Sequence, residues 1–127
     1  MINASGVSAN CAYTVFVAVR NLIEDIVAMY KRHGWTLRQL LLRPESKAAA
    51  AAADSSSCDE AEVRDADFDA LWFSRPSHEK REAWELRLIS EQAYGLFEAF
   101  EADESEEDRG EARKEMENRM REHLAGR

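Results

Sequence analysis

The sequence predicts an α+β domain: an N-terminal helix, a small antiparallel sheet of about three strands that includes a central hairpin, and one or two C-terminal helices. Three observations carry that prediction. Between Leu71 and Ile89, two aromatic and branched-apolar runs flank the polar stretch Pro76–Glu82, the pattern of two strands folding back on each other. Before them, Phe16, Val19, Ile23, Ile26, Val27 and Tyr30 recur every three or four residues, as on one face of a helix. After them, Ala112, Met116, Met120 and Leu124 are spaced by four.

Taken in order, Met1 to about Ala12 is small and polar and is expected to fray. The first helix runs from about Tyr13 to His33. Lys31, Arg32 and His33 place positive charge in its last turn, and Gly34 can adopt the left-handed cap. Trp35–Arg43 reads two ways. As a strand it puts Trp35, Leu37 and Leu41 on one face, interrupted by Gln39, with Leu40 and Leu42 opposite; Pro44 then ends it. As a helix it is capped by Thr36 and gives residues 20–43 the outline of a helix-turn-helix. The strand is the preferred reading.

Residues 45–67 hold six consecutive alanines (Ala48–Ala53), then serines and acids, and are expected to form a mobile loop. In the hairpin, Trp84, Leu86 and Leu88 alternate with Glu85, Arg87 and Ile89, which predicts one buried face and one wet face. Residues 93–108 fit a helix slightly better than a strand, on their Ala, Glu and Leu content. From about Glu106 the pattern is helical.

One domain spanning residues 1–127 is expected from length, and 45% apolar content is ordinary for a globular chain. The net charge of −8 disfavours non-specific contact with nucleic acid or anionic membrane. It is unevenly spread: residues 1–63 carry 6 basic and 7 acidic side chains, residues 64–127 carry 11 and 18. No apolar run reaches the ~20 residues of a membrane span. Nothing basic precedes the apolar stretch Cys11–Val19 as an export signal would require. Cys11 and Cys58 have no metal-finger partners and are expected to be free thiols. A soluble, cytoplasmic protein is the expectation.

The chemistry is sparse. The run Asp103–Asp108 lacks the alternation and the glycine of a calcium loop. His33, His78 and His123 have no converging partners at metal or general-base spacing. No phosphate loop or nucleophile elbow is present. No catalytic residue, cofactor site or metal site is therefore expected, and an enzyme is the least supported class.

The aromatic and arginine residues of the hairpin, Trp72, Arg75, Trp84 and Arg87, form the candidate interaction surface, with Trp35 near them if its segment joins the sheet. Aromatic residues and Arg are enriched at such surfaces. The function expected is protein–protein association, with a second copy as a possible homodimer or with another protein. The alternative is a DNA-binding regulator using Arg38 and Arg43 on a recognition helix and Lys31 and Arg32 on phosphates. Nucleic acid remains the less favoured partner because the whole chain is acidic.

Overall fold

The computed structural model describes residues 4–51 and 61–126, with side chains of the first helix from residue 17 onward. The apolar stripe of the first third lies on α1 (Ala4–Arg32), which starts earlier than its apolar periodicity marks. Ile23, Ile26, Val27 and Tyr30 are buried along it. Gly34, at φ +84°, closes the helix: its N–H donates to the Lys31 carbonyl and the Trp35 N–H to the Tyr30 carbonyl, both at 3.0 Å. A side chain at that φ would be strained, so the glycine is what lets the chain turn into the sheet.

Five strands follow, two more than expected: β1 (Thr36–Leu42), β2 (Glu62–Asp65), β3 (Ala70–Pro76), β4 (Glu82–Leu88) and β5 (Gly95–Phe100). Their order across the sheet is β2-β1-β3-β4-β5. β1 and β2 are parallel and the other pairs antiparallel, so the sheet is mixed. The predicted hairpin is β3–β4, with Ala70 opposite Leu88 and Pro76 opposite Glu82. A short 3₁₀ turn, His78–Lys80, joins the two strands, with Glu79 and Lys80 left-handed.

The strand reading of residues 36–42 holds, with a different assignment of faces. A register shift between Leu37 and Gln39 interrupts the β1–β3 ladder. Leu37, Leu40 and Leu42 therefore join the α1-side core, while Leu41 joins the other. The expected loop at 45–67 needs correction at both ends. Residues 44–51 form α2 (Pro44–Ala51), and 62–65 form β2. Pro44 suits the first helical position, where no N–H is needed. Ala49 is buried, and α2 packs against α1. Residues 52–60 of that expected loop lie outside the described residues.

Residues 95–100 are a strand, contrary to the helix their composition favours. Pairing with β4 along its length supplies what local propensity does not. The acidic block beyond it becomes the start of α3 (Glu106–Ala125). Ser105 caps this helix by accepting from the Asp108 N–H at 3.1 Å. Glu106, Glu107 and Asp108 then sit where the helix dipole favours negative charge. Met116 and Met120 are the buried part of its four-residue stripe, flanked by half-buried Ala112 and Leu124.

The sheet is covered on both sides. α1 lies over Leu37, Leu40, Leu42, Leu71, Phe73 and Ala83. α3 lies over Leu41, Ala70, Trp72, Trp84, Leu86, Leu88 and Phe100. The face of β4 carrying Glu85 and Arg87 is thus not the wet one that alternation predicts, because α1 covers it.

Candidate association surface

The four candidate residues do not form one surface. Trp72 and Trp84 meet edge-to-face at 5.8 Å beneath α3, and Trp72 is only 1% exposed. Its indole N–H donates to Glu117 of α3 at 2.9 Å, so it locks the helix to the sheet. Arg75 and Arg87 belong to the opposite face. Arg75 is exposed, stacks over Trp35 at 4.5 Å and donates to the His33 carbonyl at 2.7 Å. Arg87 is 6% exposed and donates to the Leu88 carbonyl. Trp35 packs with Tyr30 on the α1 side, across the sheet from the other two tryptophans.

Beneath α1 the charged face of β4 finds internal partners. Tyr30 donates its phenolic proton to Glu85 Oε2 and stacks on Phe73 at 4.1 Å. Burial, then the Glu85 hydrogen bond and charge, push the Tyr30 phenol well above its ordinary pKa; Arg87 opposes them. The phenol is thereby kept protonated as a donor, which suits a structural role and not that of a nucleophile. Gly95, opposite Arg87 on β5, leaves room for this arrangement, since a Cβ there would meet Glu85 Oε2 at 3.0 Å. A cleft of about 330 Å³ opens beside it, lined by Met29, Tyr30, His33, Trp35, Arg75 and Glu85.

Next to that cleft the sheet ends. β5 pairs with β4 on one side, and among the described residues no strand pairs with its other edge. Phe97 projects to the α1 side beyond the reach of the helix. It is 56% exposed and meets Trp35 edge-to-face at 6.4 Å and 87°. Met29, which lines the cleft, is also exposed. The sequence holds no Lys or Pro in Gly95–Phe100, the residues that usually blunt an open strand edge. Sequence reasoning missed Phe97 because residues 93–108 fit two structures, and only the strand exposes the ring.

The remaining chemical candidates stay apart. His33 contributes its carbonyl to Arg75, His78 lies in the exposed turn, and His123 stacks on Tyr94 at 3.6 Å. Cys58 lies outside the described residues. Among the described residues, no cluster of His, Cys, Asp or Glu could hold a metal ion. No helix among them is long and apolar enough to cross a membrane. The segment a helix-turn-helix needs as its recognition helix is β1, so Arg38 and Arg43 do not lie on such a helix. No protein family model, curated protein or solved structure matches the chain, so any functional reading rests on this geometry.

Proposed function

We propose that the protein works as an association module whose β5 edge accepts an extended segment of another protein as a sixth strand. The observation that carries this reading is the edge of Gly95–Phe100, unpaired among the described residues, with Phe97 exposed beside it. Main-chain hydrogen bonds along such an edge supply affinity, and side-chain pockets on alternate residues supply selectivity. Phe97 and the adjoining Met29–Trp35 cleft offer that pocket.

Charge selects the kind of partner. Residues 90–108 hold eight carboxylates and no Lys or Arg. A second copy paired edge to edge would bring the same acidic segment alongside, and like charges disfavour that pairing. An incoming strand carrying Lys or Arg is favoured for the same reason.

The test combines light scattering with an NMR titration of the ¹⁵N-labelled chain. The probe is a short peptide alternating Lys and Val, and its control is the same peptide with proline in place of valine. The expected result is a monomer whose amides at 95–100 shift with the valine peptide only. Equal shifts with both peptides, or none in β5, would refute strand addition. A dimer that Phe97→Glu dissolves would make the partner a second copy.

A further inference from the structure

On the other face of the sheet, a second cleft has a different character. The register shift between Leu37 and Gln39 leaves Arg38 outside the paired positions of β1 and β3. Bulges of this kind redirect a side chain. The Arg38 guanidinium lies 5.5 Å from the centre of the Trp84 ring, on the α3 side of the sheet. From α3, Arg113 lies over the same ring at 4.5 Å. Two positive groups from distant parts of the chain thus share one indole.

They also share a cavity of about 340 Å³, together with Thr36, Gln39 and Glu62. That is within the size range of small-molecule sites. The floor is fixed: Trp84 donates its indole N–H to Glu82 Oε1 at 2.7 Å, and Arg109 holds the same oxygen at 3.2 Å. Arg113 has a carboxylate partner in Glu106, a mostly exposed side chain. Among the described residues Arg38 has no ion pair, although the chain is rich in carboxylates.

We propose that this cleft binds a phosphate-type oxyanion, free or as the phosphomonoester of a small molecule, between Arg38 and Arg113. Guanidinium groups suit the purpose because their forked N–H donors match the oxygens of such an anion. Thr36 and Gln39 add neutral donors. Glu62 repels a second negative group and accepts from a hydroxyl or amine, so the favoured ester carries one of these near its phosphate.

The experiment follows the tryptophan indole N–H signals of the ¹⁵N-labelled chain, assigned by Trp84→Phe. Inorganic phosphate and glycerol 3-phosphate are the probes, with glycerol as control. The expected result is a saturable shift of the Trp84 signal with one or both anions and none with glycerol. Saturation by inorganic phosphate as tight as by the ester identifies the free ion as sufficient; tighter binding of the ester identifies the esterified form. Arg38→Gln, an exposed change, should weaken binding about ten-fold or more, as loss of a charge-assisted contact does. Arg119→Gln, on α3 but outside the cleft, should leave it unchanged, and Glu62→Gln should tighten phosphate binding. Absence of a saturable shift, equal weakening by the two arginine variants, or weaker binding in Glu62→Gln would overturn the assignment.

Discussion

Replacing Tyr30 with Phe removes one hydroxyl from beneath α1 and should change both stability and its dependence on pH. At neutral pH the variant loses a hydrogen bond to the Glu85 carboxylate, with Tyr30 8% exposed. Bonds to charged groups contribute about 1.5–3 kcal/mol. Glu85 is only half-buried and can recruit water, so the lower figure, about 1.5 kcal/mol, applies. In alkali the order changes. Because the folded phenol titrates far above its ordinary value, the stability from Tyr30 is fully present below the unfolded pKa of about 10 and is lost as pH rises from there towards the folded value. The loss is ~1.4 kcal/mol per pH unit for one proton, and the phenylalanine variant does not share it. The two stability curves should therefore converge about one unit above pH 10. Urea unfolding from pH 7 to beyond that point, with unchanged slope, measures the difference. Parallel curves throughout would refute the raised phenol, and equal stability at pH 7 would refute the hydrogen bond.

Substitutions at three further positions test the packing. Gly95→Ala brings a Cβ to 3.0 Å from Glu85 Oε2 and 3.4 Å from the Leu86 carbonyl, and should cost about 1 kcal/mol. In a Tyr30→Phe background that cost should shrink, since Glu85 is free to move; a double-mutant cycle in urea gives the coupling. Asp69 accepts from the Arg43 backbone N–H at 2.8 Å and from the buried Ser46 hydroxyl at 2.6 Å, tying the start of α2 to β3. Asp69→Ala should cost roughly 2–4 kcal/mol, and Asp69→Asn less, because one oxygen still accepts from the Arg43 N–H while the Arg43 guanidinium and Ser46 lose their acceptor. Equal midpoints for the two variants would remove Asp69 from this role. Met120 is fully buried under the sheet, so Met120→Ala should cost roughly 2–5 kcal/mol in the same assay.

The parts of the fold legible in the sequence are those whose pattern has one solution. The α1 stripe, the β3–β4 hairpin and the α3 stripe each bury a regular set of residues, and local order alone specifies them. Residues 95–100 were ambiguous because Ala, Glu and Leu favour helix while Leu96 and Phe100 also suit a strand; β4 decides between them. β2 is short, with polar residues around an exposed Val63, and only its pairing with β1 makes it a strand. The charged face of β4 read as wet because Glu85 and Arg87 usually mark solvent. Nothing local signals that Tyr30, far earlier in the chain, meets Glu85 there. Arg38 is legible in the sequence as a candidate contact to nucleic acid, but its place over Trp84 depends on the β1 register shift, which no short-range pattern announces.

The sheet order has a consequence for how the molecule assembles. β3, β4 and β5 are consecutive neighbours joined by short connections, so their loops close at little entropic cost. β1 must instead pair with β3 across the long stretch of chain between Leu42 and Ala70. Among the described strands β2 pairs with β1 alone, through a four-residue ladder, and two ion pairs of partly exposed side chains, Arg64 with Glu117 and Asp65 with Lys47, add to it. The three-strand meander is the natural early structure and β2 the last element to dock. Under native conditions β2 is then the first to detach, and its amides should exchange with deuterium well before those of β3 and β4.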